Sequence, residues 1–160
     1  SKENPNLTIV GLRFFNVYGP REYYKAKTSS MVIQLGHQIL SGKAPRLFKG
    51  SDKFLRDFIN IEDVLQVNIK ACKPIKNGIY NVGTGNPRSF QDIADILQQE
   101  LGTNLGTEYI PNPYDGYQMH TQADIRASKV NLGFDPVVSL EEGIKTYIPE
   151  IKRLHGTDMS

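Results

Sequence analysis

Several polar side chains stand where apolar runs stop, and their types limit the chemistry on offer. Asn16 follows Leu12-Arg-Phe-Phe15 directly. Its amide both donates and accepts, which suits a ligand held at the end of a strand. The run Asn16-Val-Tyr-Gly-Pro-Arg21 also makes a sound turn without any ligand, because asparagine tolerates a left-handed backbone and Gly-Pro breaks a strand. Arg56 lies within Phe54-Leu-Arg-Asp-Phe-Ile59. A guanidinium so enclosed can hold phosphate oxygens through two parallel hydrogen bonds. The alternative is an Arg56–Asp57 pair or plain surface charge. Asp57 and Asp63 read as structural, Asp63 because a carboxylate in a helix's first turn favours the dipole. Lys25 and Lys27 follow Gly19-Pro20. They are candidates for a site role because their loop leaves a ligand-facing strand end. Tyr117, in the polar run from Pro111 to Thr121, can stack on a ligand or donate through its hydroxyl. A polar surface loop explains that run equally well.

Two patterns imitate cofactor chemistry. Tyr23 and Lys27 have the Tyr-x-x-x-Lys spacing of the short-chain dehydrogenase pair. That pair needs one helical face to bring the lysine over the tyrosine oxygen. Here it falls in an expected loop, so it is rejected as that dyad. Asn81-Val-Gly-Thr-Gly85 looks like half of a dinucleotide fingerprint, but Arg88 stands where the third glycine belongs. It reads as a tight turn between a strand and a helix starting at Ser89.

These side chains need a frame. Residues 7–15 are rich in apolar and β-branched types, which predicts a strand covered on both faces, as in a parallel sheet. Residues 16–28 are expected as loop. Further strands are expected at 46–48, 54–60, 78–82 and 107–110. Helices are expected from Ser29 or Ser30 to 40, from 61 or 62 to 71, from 89 to 101, near 125–132 and over 140–154. Ser89 with Asp92 resembles a capping arrangement, and Gly102 is a stop. Strands alternating with helices define an α/β chain. Residues 156–160 read as a frayed tail.

Bulk properties exclude several classes. The 160 residues are 39% hydrophobic and 22% charged, with a net charge of +2 and both signs interspersed. That gives no argument for nucleic acid. The single cysteine, Cys72, sits in an apolar helical pattern and is expected to be buried and structural, in a reducing compartment. His37, His120 and His155 are far apart in sequence, so no metal site is expected. No apolar run is long enough to span a bilayer, and the opening residues do not read as a signal peptide.

Together the motifs resemble the extended short-chain dehydrogenase/reductase superfamily, its nucleotide-sugar epimerases and dehydratases, and among them the branch acting on ADP-heptose. The carrying residues are Phe14-Phe-Asn-Val-Tyr-Gly-Pro-Arg-Glu22, Ser30-Met31 with His37, Leu47-Phe-Lys-Gly-Ser51, Arg56-Asp-Phe58, Tyr80-Asn-Val-Gly-Thr-Gly85, Ser89-Phe-Gln91, Glu108-Tyr-Ile-Pro111, and Tyr117-Gln118 with Thr121-Gln-Ala-Asp124. Asn-Val-Tyr-Gly-Pro and Arg-Asp-Phe belong to the whole superfamily. Phe-x-Gly-Ser ahead of Arg-Asp-Phe, and Tyr-Gln-x-x-Thr-Gln-Ala-Asp, favour the heptose branch. The resemblance covers nearly all of the chain, but only the C-terminal half of the family's length.

The resemblance implies the C-terminal part of a Rossmann-type doubly wound parallel sheet plus a small α/β substrate-binding lobe. Residues 1–20 and 57–85 would be late elements of the cofactor domain; 21–56 and 86–155 would form the lobe. It implies that Asn16 touches substrate and Val17 the nicotinamide cofactor. Lys25 matches a catalytic acid/base that also meets NADP, with Lys27 as rival because the spacing to Met31 is longer than in the family. Ser30 and His37 match substrate contacts, and Phe48, Lys49, Gly50, Ser51 and Arg56 the segment holding ADP. Tyr117 matches a further substrate contact. Inverting an unactivated carbinol carbon means breaking a C–H bond that no ordinary base deprotonates. NADP can take the hydride, leave a ketone and return the hydride to the other face, with an acid/base on each side. The implied partners are an ADP-sugar, the N-terminal Rossmann half that these residues lack, and further copies in a homo-oligomer. The implied setting is the cytoplasm and lipopolysaccharide core biosynthesis. These residues alone are expected neither to hold NADP firmly nor to catalyse. The alternatives are a UDP-sugar 4-epimerase or sugar dehydratase, a non-catalytic nucleotide-sugar-binding module, and an interaction fragment without ligand.

Overall fold

Two stretches of the chain each serve two sheets, as the computed structural model, which describes residues 7–73 and 76–156, makes plain. The first stretch forms β1 (Val10–Phe14), then after Phe15 becomes β2 (Asn16–Tyr18). β1 pairs in parallel with β6 (Gly78–Val82), from Val10 opposite Gly78 to Phe14 opposite Val82. β2 pairs in parallel with β5 (Phe58–Asn60). The second stretch splits at Asp57. β4 (Leu55–Arg56) runs antiparallel to β7 (Arg88–Ser89), while β5 joins β2. β3 (Arg46–Phe48) and β8 (Glu108–Ile110) make another parallel pair. The single strand expected over 54–60 is therefore two. The Asp57 carbonyl accepts from the Asn16 amide at 3.0 Å, while its side chain turns inward to a different set of donors.

The helices are α1 (Met31–Leu40), α2 (Ile61–Ala71), α3 (Phe90–Leu101), α4 (Arg126–Leu132) and α5 (Leu140–Leu154). Ser89 and Asp92 form a complete capping box on α3, and Gly102 ends it in the left-handed region at φ 67°. Asn60 caps α2 and Ser139 caps α5. Ser30 occupies the cap position of α1 without capping it. One core gathers Tyr18, Ile33, Leu35, Leu97, Ile144 and Ile151 between α1, α3 and α5. A second gathers Ile59, Val64, Val67, Tyr80, Val82 and Phe134 around the β1–β6 and β2–β5 pairs. Among the described residues no helix is long and apolar enough to cross a membrane.

Three expectations are corrected. Residues 16–28 are not all loop: β2 is followed by a 3-10 turn over Tyr23–Thr28, because the strand finds a partner in β5. The first strand is not covered on both faces. Leu7, Ile9 and Phe14 are 56%, 54% and 45% exposed, since among the described residues β1 has one neighbour strand, and only Val10 and Leu12 of it pack against a core. Cys72 is exposed at the C-terminal end of α2, beyond the buried positions of that helix. The tail reading for 157–160 lies outside the described residues.

Candidate functional site

A cleft of about 610 Å³ opens where β2 ends, lined by Val17, Gly19, Glu22, Lys25, Glu62 and Glu150 among others. It stands at the carboxyl end of a parallel strand, where ligands of open α/β sheets bind. Strand alternation separates the two side chains expected there. Val17 faces this cleft, whereas Asn16 opens into a shallower hollow with Arg13, Phe15 and Thr121. Lys25 borders the cleft from the 3-10 turn. Lys27 does not, because the chain kinks between them at Ala26, whose φ of 46° and ψ of −120° are a strained combination for a side-chain-bearing residue.

A second pocket, about 140 Å³, is walled by Met31, Leu47, Phe48, Phe54, Phe90 and Tyr117, with Ser51 and Arg46 at its polar edge. Tyr117 stacks at an angle on Phe54 and meets Phe48 edge-on, with centroids 5.0 and 5.8 Å apart. Arg56 is buried beside this aromatic group. Its guanidinium lies 5.2 Å from the Tyr117 ring centre and 5.7 Å from that of Phe90. It donates to the carbonyls of Leu55 and Gln118 and forms none of the ion pairs among the described residues. A buried cation held by carbonyls and ring faces alone keeps most of its positive field for a ligand. The Ser51 hydroxyl is also buried and without a partner, an orphan polar group on the pocket's edge.

Asp57 fixes the loop between β6 and β7. It is fully buried and accepts four hydrogen bonds: Thr84 N and Oγ1 at 2.7 Å, Gly85 N at 2.8 Å and Ala123 N at 2.9 Å. Gly83 is required there, since a Cβ would stand 2.5 Å from the Ala123 Cβ and 2.9 Å from the Asp57 carboxylate. Asn81-Val-Gly-Thr-Gly85 is thus a structural turn wrapped on an aspartate. Asp63 accepts from Val137 N and Val138 N, which ties the chain entering α5 to α2. Neither aspartate pairs with Arg56.

The structure therefore brings Phe48, Ser51, Arg56 and Tyr117 together, and Val17 with Lys25. Lys49 is exposed and Gly50 sits in the turn before Ser51 with φ 85°. Ser30 is engaged with Glu22. His37 lies apart from both clefts. Its Nδ1 is 3.3 Å from Nδ1 of His155, so two histidines distant in sequence meet in space. Burial, then the charge of His155, lowers the His37 pKa from its ordinary value. Among the described residues no three His, Cys, Asp or Glu side chains cluster as metal ligands would. Sequence reasoning passed over Phe54 and Phe90 as pocket walls and Glu22 as a buried carboxylate. The two phenylalanines carried a signal, standing beside Arg56 and in the quoted Ser-Phe-Gln; Glu22 carried none beyond its place after Pro20-Arg21.

Parallel strand pairs with helices packed on them and a cleft at a strand end define a mixed α/β protein of Rossmann-like type, and comparison narrows it. The sequence profile of the NAD dependent epimerase/dehydratase family matches residues 1–83, and the chain belongs to that family. It is 42% identical to an ADP-L-glycero-D-manno-heptose-6-epimerase of Brachyspira hyodysenteriae over 97% of this chain and 50% of that protein. The crystal structure of the Helicobacter pylori ADP-L-glycero-D-manno-heptose-6-epimerase superposes with a TM-score of 0.86 at 46% identity, over 94% of this chain and 46% of that one. A Thermotoga maritima UDP-glucose 4-epimerase, solved with UDP-glucose, gives 0.84 at 28% identity over 94% and 48%. The chain thus spans about half the length of these relatives.

Proposed function

We propose that this chain supplies the substrate-facing half of a nucleotide-sugar epimerase that inverts C6 of the heptose in ADP-glycero-manno-heptose, using NADP. The observation that carries the reading is Arg56: a buried guanidinium without a carboxylate, held between Phe90 and Tyr117 beside a small aromatic pocket. That combination suits the phosphates and planar base of a nucleotide. Phe48, Lys49, Gly50 and Ser51 take the ADP part, with Tyr117 as a further contact. By similarity Asn16, Ser30 and His37 are read as contacts to the sugar, although the three share no cleft here and His37 stands apart beside His155. Similarity to the Brachyspira and Helicobacter proteins supports ADP-heptose over other sugars.

The cleft at the end of β2 fits a nicotinamide ring: Val17 offers an apolar wall and Lys25 a cation at its edge. When bound, that cofactor supplies removal and return of a hydride at the carbinol carbon. Lys25 holds or moves the proton of the reacting hydroxyl at its Nζ, while Arg56 anchors the constant nucleotide so that the sugar can turn. Lys25 is preferred over Lys27 because it borders the cleft. In this reading residues 1–20 and 57–85 belong to the cofactor domain and 21–56 and 86–155 to the lobe. The remaining Rossmann half covers the exposed apolar side of β1 and β6, and the complete enzyme is a cytoplasmic homo-oligomer of lipopolysaccharide core biosynthesis.

Calorimetry with ADP-sugar on Arg56→Ala tests the anchor. A lost charge-assisted contact is worth about 1.5–3 kcal/mol, or roughly 10- to 150-fold in affinity; unchanged affinity sinks the assignment. Lys25→Ala is expected to abolish turnover in the complete enzyme while substrate still binds. If Lys27→Ala does so instead, Lys27 is the acid/base. The second reading, a UDP-sugar 4-epimerase, is favoured by the Thermotoga likeness; preferential turnover of UDP-sugars selects it.

A further inference from the structure

We propose that Glu22 is a positioning residue that closes residues 22–30 into a clamped ring and so fixes Lys25 at the cleft. The proposal rests on the reading of Lys25 as the acid/base. Glu22 is only 4% exposed and enters none of the ion pairs among the described residues. Its two carboxylate oxygens accept from the amide and the hydroxyl of Ser30, both at 2.6 Å, across eight residues of chain. The ring between them is held from inside. Lys25 N donates to the Glu22 carbonyl at 2.9 Å, and the Lys25 carbonyl accepts from Thr28 Oγ1 at 2.7 Å. The Ala26 carbonyl accepts from Ser29 N and Oγ at 3.1 and 2.7 Å. Both carbonyls flanking the strained Ala26 are therefore occupied. α5 runs alongside: Glu150 accepts from Arg21 N, the residue before the ring, at 2.8 Å, and burial and then the charge of Glu22 raise the pKa of the Tyr147 hydroxyl.

A plain capping role for Glu22 at the start of α1 would also use these bonds, since a carboxylate is favoured at a helix N-terminus. Two features go beyond it. Helix capping needs no closed ring, and it needs no strained residue next to the lysine. A backbone held in a sparsely populated conformation persists only where its surroundings over-determine it. Here the surroundings are the Glu22–Ser30 clamp and the two hydroxyl bonds, and the side chain so aimed is Lys25. Glu22 also orients Ser30, whose hydroxyl proton is committed to the carboxylate, leaving lone pairs to accept from a ligand.

The test uses Glu22→Ala and Glu22→Gln in the complete enzyme. Misplacing a reacting group by about 1 Å can cost 10²-fold, so Glu22→Ala is expected to lower kcat about 10- to 100-fold with KM for ADP-sugar nearly unchanged. Trypsin cleavage after Lys25 and Lys27 is expected to accelerate, while cleavage elsewhere keeps its rate. Glutamine can accept from the Ser30 amide and donate to its hydroxyl, so Glu22→Gln is expected to recover most of the turnover. If Glu22→Ala does not fold, Glu22→Gln and Ser30→Ala carry the comparison, with Ser30→Ala expected to loosen the ring. Faster cleavage with unchanged kcat overturns the proposal. So does a loss confined to KM, or a folded Glu22→Gln as inactive as Glu22→Ala. Full turnover by Lys25→Ala overturns the acid/base assignment instead, while the proteolysis result still reports on the clamp.

Discussion

Replacing Asp57 with asparagine changes one atom and should unsettle two loops. One carboxylate oxygen accepts from Thr84 N and Oγ1, the other from Gly85 N and Ala123 N. An amide nitrogen in the second position would face two backbone N–H groups. In the first it would face one, since the Thr84 hydroxyl can turn and accept. The better orientation thus leaves one buried N–H without an acceptor, at about 1–3 kcal/mol, and removes charge assistance from the bonds that remain. The sum is about 2–4 kcal/mol. With a urea m-value of about 2 kcal/mol/M, the unfolding midpoint falls by about 1–2 M. Asp57→Ala, which loses all four bonds, should fall further. The measurement is urea unfolding followed by far-UV circular dichroism, with m compared between variants. A midpoint within about 0.3 M of the parent at unchanged m would refute the assignment of Asp57 as the hub of both loops.

Gly143→Ala should destabilise, although alanine is ordinarily favoured over glycine inside a helix by about 1 kcal/mol. The added Cβ would lie 2.0 Å from the Tyr18 hydroxyl and 2.7 Å from Asn60 Nδ2, both buried, and overpacking of this kind costs about 1–3 kcal/mol; a thermal melt reads the sign. The depressed pKa of His37 predicts a pH dependence. Between its folded value and the ordinary 6.5, the unfolded chain binds the extra proton. Its contribution is complete above that ordinary value and is lost as pH falls through the folded one, and His155→Ala should move the His37 NMR titration back up.

Apolar periodicity and capping chemistry made the helices legible. α2 and α5, and the strands Arg46–Phe48 and Gly78–Val82, fall where apolar spacing put them, and the Ser89–Asp92 pair announces the start of α3. What escaped was non-local. The division of 54–60 into two strands depends on which partner each half meets, and nothing within Phe54-Leu-Arg-Asp-Phe records that. The 3-10 turn at Tyr23–Thr28 is made by hydroxyl-to-carbonyl bonds rather than by periodicity. The exposure of Phe14 and Cys72 was misread because an apolar pattern reports what a surface prefers, not whether a neighbouring element covers it. At the site, Arg56 and Tyr117 were readable from type and context. The meeting of His37 with His155 was not, since it arises from the packing of α1 against α5.

The division of residues 10–18 between two sheets bears on how the chain is made. Among the described residues β1 pairs with 78–82, whereas β2 pairs with 58–60. During synthesis α1 can form from its own residues, but the edge of Val10–Phe14 that β6 fills stays open until α2 and β6 have left the ribosome. Non-local parallel pairing is slow for this reason. The edge of Val10–Phe14 that awaits β6 is therefore one that a chaperone, or a neighbouring unfinished copy, can meet on a growing chain.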